Sequence, residues 1–145
     1  MHQKIKSLLE KNDLCVLATM ADTAPHCSLM SYAAAEDGRE IYMVTHKNTR
    51  KYKNLEINPA VSLLIDSRET DREERRGAAK ALTVTGTYEK IMDEPKAGEI
   101  RKLFLDRHPH LKGFSEDPQA QFILIRVKAF QLLEGIADAY FEEVN

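Results

Sequence analysis

Apolar positions near the start of the chain recur with two different periods. Ile5, Leu8 and Leu9 fall at helical spacing within Lys4–Lys11, and Asn12-Asp13 follows as a stop signal, so a short helix is predicted there. Leu14–Met20 (LCVLATM) is then an apolar run of strand length, Ala21–Pro25 a turn, and His26–Ala35 (HCSLMSYAAA) a second strand. EDGRE, centred on Gly38, marks a hairpin turn before a third strand at Ile41–Thr45. Consecutive strands joined by turns this short predict an antiparallel meander.

Asn48–Glu56 reads as a short helix closed by Asn58-Pro59, and Ala60–Asp66 is again strand-like. Ala81–Ile91 alternates over a long strand in which Gly86 marks a bulge or a close backbone approach. Asp93–Arg107 carries a capping Asp93, Pro95 near the first turn, and an apolar stripe of Ile100, Leu103 and Phe104; it is a helix that HPHLKGF ends. Gln121–Gly135 supplies one or two further strands. Six or seven mostly antiparallel strands against about three flanking helices predict an α+β chain whose sheet closes into a small barrel, removing exposed edges. Residues 1–145 form a single domain in this reading.

Composition narrows the function. The chain has 145 residues and a formal net charge of −2, so no global field recruits nucleic acid or an acidic membrane surface, and any anion site must be local. No apolar run is long enough to span a bilayer, and the first residues lack the apolar core of a secretion signal, so a cytoplasmic protein is expected. Cys15 and Cys27 lie in different segments without metal-type spacing and are expected to be buried, reduced thiols. Between Asp66 and Lys80 five acidic residues balance five basic ones, which fits a solvated loop rather than a nucleic-acid tail. His108 and His110 flank Pro109, but no third metal ligand stands at a telling spacing, and no metal site is expected. Met20, Met30, Met43 and Tyr42 read as core residues on alternating strands. No Ser/His/Asp order or Gly-rich phosphate loop is present, and no catalytic residue is assigned.

The chemistry concentrates in Val44–Leu55, VTHKNTRKYKNL. If Asn48 or Thr49 caps the helix, then Arg50, Lys51 and Lys53 occupy its first turn, where the macrodipole already presents positive charge. Exposed cations there cost a few tenths to about 1 kcal/mol each. A phosphate would relieve that cost, because free N–H groups, the hydroxyls of Thr45 and Thr49 and the Arg50 guanidinium could converge on its oxygens. The alternative is that these side chains simply point into water.

Those residues, with LATM and Pro25-His26 before them, resemble the FMN-binding split β-barrel superfamily typified by pyridoxamine 5′-phosphate oxidase. In that family a strand ends in Thr, a Ser/Thr-Arg-Lys triplet opens a helix, and Asn-Pro closes it before the next strand. Here the same order is Thr45, Thr49-Arg50-Lys51, Asn58-Pro59 and VSLLI. The resemblance implies a split β-barrel holding FMN, with Val44, Thr45, Thr49, Arg50 and Lys51 at the phosphate and ribityl chain. Leu29, Met30 and Ser31 would lie along the isoalloxazine ring. It also implies a homodimer with FMN at the subunit interface, and oxidoreductase activity on a small molecule, with a nicotinamide cofactor as a candidate reductant.

The departures are specific. Pyridoxamine phosphate oxidases carry an Arg and a Lys on the second strand where this chain has Leu29 and Ala34, and a Gln where it has Ala81. Their Arg-rich motif near the C-terminus has no counterpart in FILIRVKAFQLLEGIADAYFEEVN. The resemblance therefore implies the flavin scaffold without the vitamin B6 substrate site. Two other readings stay open: the same barrel holding haem or a deazaflavin, for which His26 and His46 stand near the presumed cofactor strands, and a dimeric domain with no cofactor.

Overall fold

The computed structural model describes residues 1–68, 79–135 and 138–145. Helix α1 (Gln3–Lys11) leads into β1 (Leu14–Met20), β2 (Pro25–Ser31), the short β3 (Ala33–Ala34) and β4 (Glu40–His46). Helix α2 (Arg50–Ile57) precedes β5 (Ala60–Asp66) and β6 (Lys80–Glu89). Helix α3 (Glu94–Arg107), a 3-10 turn (Pro109–Leu111) and the four-residue α4 (Lys112–Ser115) follow, then β7 (Ala120–Glu134) and β8 (Asp138–Glu143).

The sheet runs β2-β1-β5-β6-β7-β4-β3, with β8 on β7, and every pairing is antiparallel. The predicted α+β split barrel is thus present, with eight strands and four helices among the described residues where six or seven and about three were expected. One expected strand, His26–Ala35, divides at Tyr32. Its first part pairs with β1 and its second with β4, so the same stretch of chain stands at both ends of the sheet order and curls it into a half-barrel. The predicted hairpin turn carries Gly38 at φ 72°, a conformation open to Gly at little steric cost.

Gln121–Gly135, read as one or two strands, is a single strand that changes partners. Residues up to Arg126 pair with β4, and those from Ala129 pair with β8. The change coincides with a bulge: Thr85 faces Ala129 while Gly86 faces Val127, which leaves Lys128 unpaired against β6. The Lys128 carbonyl accepts from Val144 N–H at 2.8 Å, and Val127 N–H donates to the Arg39 carbonyl at 2.9 Å. The extra residue bends β7 between two neighbours. Gly86 is needed opposite, since a Cβ there would lie 2.6 Å from the Arg126 carbonyl oxygen.

The barrel interior is filled by Leu17, Met43, Leu63, Val84, Ile125 and Phe130 among others, with α1 contributing Ile5, Leu8 and Leu9. Helix α3 covers the outer side of β4 through Ile100 against Tyr42 and Phe104 against Val44, which is why β4 is buried on both faces. Asp93 caps α3, as predicted, by accepting from Lys96 N–H at 3.0 Å. Met30, Met43 and Tyr42 are core residues as expected, whereas Met20 is exposed because no element among the described residues covers the outward face of β1. Cys15 is buried and free; Cys27 is free but exposed, since it points outward from β2. Most of the predicted 66–80 loop lies outside the described residues.

Arg107 joins the end of α3 to the end of α1. Its guanidinium donates to the carbonyls of Leu9, Glu10 and Asn12, pairs with Asp13 at 3.1 Å, and lies over the Tyr32 ring. It supplies donors to the carbonyls that a helix C-terminus leaves without partners. Arg107→Ala is expected to cost about 2–3 kcal/mol, the order of one or two hydrogen bonds made by a charged donor. A lowered urea midpoint at unchanged slope is the readout, and an unaltered midpoint would assign the contact no weight.

Candidate functional site

The turn between β4 and α2 is held from several sides. Lys47 N–H donates to the Gln119 carbonyl at 2.8 Å, and Thr49 N–H donates to the His46 carbonyl at 3.2 Å. The Thr49 hydroxyl donates to the same carbonyl at 2.8 Å and lies 3.4 Å from both the Thr45 hydroxyl and Tyr52 N–H. Thr49, not Asn48, is therefore the N-cap, and the helix opens at Arg50. Below it α2 is anchored by Leu55 in the core and by Asn54, whose side chain donates to the Thr19 hydroxyl at 3.2 Å.

This anchoring leaves the helix start turned toward solvent with its charges unmatched. The N–H groups of a first turn lack intrahelical acceptors; Thr49 takes that of Tyr52, and those of Arg50 and Lys51 stay available. No acidic residue stands in the turn, and Arg50, Lys51 and Lys53 have no carboxylate within ion-pair distance among the described residues. Thr45 is 3% exposed, its hydroxyl aligned with that of Thr49, while Val44 packs under α3. The Thr45 hydroxyl, the free N–H groups and the Arg50 and Lys51 cations at one helix start suit a phosphate by donor set and by charge, whereas the Thr49 hydroxyl, expected to donate as well, gives its proton to the His46 carbonyl and serves as the cap.

The predicted ring-side residues lie on β2, which ends the sheet. Its outer edge has no ladder partner among the described residues, so backbone donors and acceptors are open to the polar edge of a planar ligand. Leu29 points outward and is 70% exposed; Met30 points into the core and offers only its backbone; Ser31 is half-buried. Leu29 belongs to a row that crosses the outer face of the sheet by register: Leu29, Val16, Leu64, Thr83, Gln131 and Phe141, the last 62% exposed. A cavity of about 680 Å³ opens on this face beside Leu14, Val16, Leu29 and Leu64.

The histidines separate clearly. His46 has both ring nitrogens occupied, Nδ1 at 3.0 Å from the Asn48 side-chain oxygen and Nε2 at 3.3 Å from Asp117, and its ring stacks over Phe114. It braces the β4–α2 turn against the segment after α4, a role that sequence spacing did not reveal. His108 is buried with Nε2 at 2.6 Å from the Tyr32 carbonyl and packs on Phe104. No group of His, Cys, Asp and Glu fit to hold a metal exists among the described residues, and no described helix is long and apolar enough to cross a membrane.

The family model described as pyridoxamine 5′-phosphate oxidase matches residues 1–134. A pyridoxamine 5′-phosphate oxidase homolog of Schizosaccharomyces pombe is 33% identical in an 87-residue alignment that covers 54% of this chain and 46% of that protein. The chain thus spans about half the length of that relative. Among solved structures, a haem-binding protein from Mycobacterium smegmatis superposes with a TM-score of 0.84 at 17% identity, over 97% of this chain and 57% of the other. An FAD-binding protein from Mesorhizobium loti gives 0.74 at 21% identity, over 92% and 93%. The haem storage protein HutZ of Vibrio cholerae gives 0.70 at 19% identity, over 94% and 91%. At those identities the structural likeness establishes the fold, and the family match over nearly the whole sequence establishes descent: the chain belongs to the pyridoxamine 5′-phosphate oxidase family.

Proposed function

We propose that this protein binds a flavin through its 5′-phosphate, FMN being the minimal ligand, and acts as an oxidoreductase on a small molecule. The observation that carries the reading is the start of α2, where Arg50 and Lys51 stand without acidic partners among the described residues, beside the Thr45 hydroxyl and the Thr49 cap. Arg50 and Lys51 would hold the phosphate, and the open edge of β2 from Leu29 to Ser31 would meet the ring edge. Flavin, when bound, supplies two-electron hydride chemistry; the protein needs only to fix the ring and govern what approaches it.

The outward apolar side chains Leu29, Val16 and Leu64, with Phe141 at the far end of the same row, support a homodimer whose second copy covers that face and closes the cavity beside Leu29. Leu29 and Ala34 offer no charge to a phosphorylated vitamin B6 substrate, so a different small molecule, with a nicotinamide cofactor as reductant, fits better. A haem reading has less support. His46 is engaged at both nitrogens, which leaves His26 as the candidate axial ligand among those two.

The test is the absorbance spectrum of protein as isolated, mass identification of the ligand it releases on denaturation, and the solution mass. Flavin bands, FMN or its adenylylated form in the supernatant, and a mass of two chains are expected. A Soret band without flavin, or a colourless protein that ignores added FMN, would remove the reading.

A further inference from the structure

A second cavity lies on the other flank of α2. It has about 410 Å³, within the range of about 300–1,000 Å³ usual for small organic ligands, and is lined by Lys47, Tyr52, Tyr88, Lys90, Met92 and Gln121, with Ile91 and a single carboxylate, Glu56, completing the wall. Its floor is a pair of buried tyrosines, Tyr52 from α2 and Tyr88 from β6, with ring centroids 6.5 Å apart at 70°. Its rim carries Met92, 85% exposed and the most exposed large apolar side chain among the described residues. A flexible thioether left in water at a cavity mouth is suited to lie against an aromatic ring.

Charge marks the same cavity. Lys47 has no carboxylate within ion-pair distance among the described residues, and Lys90 reaches Glu56 only at 3.9 Å. The cavity also adjoins the phosphate cradle. Thr45 and Gln121 are directly paired across β4 and β7, so their side chains share a face; the first belongs to the cradle and the second lines the cavity. On α2 itself, Arg50 and Asn54 stand on one flank and Tyr52 and Glu56 on the other, four residues apart in each case, with the helix start between them.

We infer that this cavity receives the nucleotide half of a flavin dinucleotide. The flavin lies on the β2 flank and the first phosphate at the helix start. The second phosphate lies between the Lys47 and Lys90 ammonium groups, and the purine lies on Met92 and the exposed edges of the tyrosine pair. The inference rests on the phosphate cradle proposed above and extends it: FMN uses the cradle alone, and FAD uses cradle and cavity together.

Calorimetric titration of ligand-free protein with FMN and with FAD tests it, in the wild type and in a Lys90→Ala, Met92→Ala double variant. Both side chains are exposed, and circular dichroism monitors folding. FAD is expected to bind about tenfold or more tightly than FMN, and the double variant to bring the two affinities within about twofold of each other. If FMN binds and FAD binds no better, or if the ratio survives in the double variant, the cavity does not take the nucleotide and the cradle stands. If neither ligand binds, both fall.

Discussion

Replacing Arg50 and Lys51 together by alanine is expected to weaken FMN binding about a hundredfold while leaving the fold intact. Each charge-assisted contact to a phosphate contributes about 1.5–3 kcal/mol, and exposure at the helix start argues for the lower end, so two of them total roughly 3 kcal/mol. The helix itself should not suffer, because Thr49 caps it and Leu55 and Asn54 hold it to the barrel. Relief of cation repulsion with the macrodipole should stabilise the free protein by a few tenths of a kcal/mol per residue. Weaker binding together with an unchanged or slightly raised melting temperature is a pattern that damage to the scaffold would not give. Unchanged flavin affinity in the double variant would mean that these cations face only water. Fluorescence titration with FMN, paired with a thermal melt, reads both quantities.

Gly86→Ala is expected to be strongly damaging for a single added methyl. The new Cβ would stand 2.6 Å from the Arg126 carbonyl oxygen and 2.8 Å from Ile125 Cγ2, and the first of these belongs to a backbone already fixed by the ladder with β4. Neither neighbour can swing away as a flexible side chain would, so strand β7 must shift at the point where it bends from β4 toward β8. The expected loss is about 3 kcal/mol, or roughly 10 °C in melting temperature. Gly98→Ala supplies the opposite sign. Gly98 is exposed in the interior of α3 with no atom within 4 Å of an added Cβ, so alanine there is expected to gain about 0.5–1 kcal/mol. Equal effects at the two glycines would refute the close-approach account.

The parts of this fold legible in the sequence are those that local physics decides. The spacing of Ile5, Leu8 and Leu9, the cap at Asp93 and the turn at Gly38 each follow from neighbours a few residues away, and a glycine within the alternation of β6 marks position 86 as a bulge or a close approach without naming the strand it meets. The cluster from Val44 to Leu55 was legible for the same reason, down to the helix start that gathers its charges. Partner exchange was not legible. His26–Ala35 is uniform enough to read as one strand, and only the three-dimensional closure of the barrel divides it at Tyr32. β8 has no apolar alternation that would separate it from the tail, because its exposed Tyr140 and Phe141 sit among acids.

The exposure of Met20 and Cys27 escaped for a different physical reason. β1 and β2 carry apolar or small residues on both faces, and a sequence with two such faces does not say what covers the second. Here nothing in the described chain covers it, which is the same fact that supports a second copy on that face. His46 was read as a possible ligand of the cofactor because its position in the chain is close to the cradle. Beyond its neighbour Asn48, its partners Asp117 and Phe114 lie about seventy residues away in sequence, out of the reach of any local pattern.

The central claim is that a phosphate, held at the start of α2, is what secures the flavin. Parallel titration of ligand-free protein with FMN and with riboflavin isolates that claim, since the two ligands share the ring and ribityl chain and differ only in the phosphate. A preference for FMN of about a hundredfold or more, shrinking as salt is raised, is the predicted result. Equal affinity for the two, or binding of neither, would contradict it.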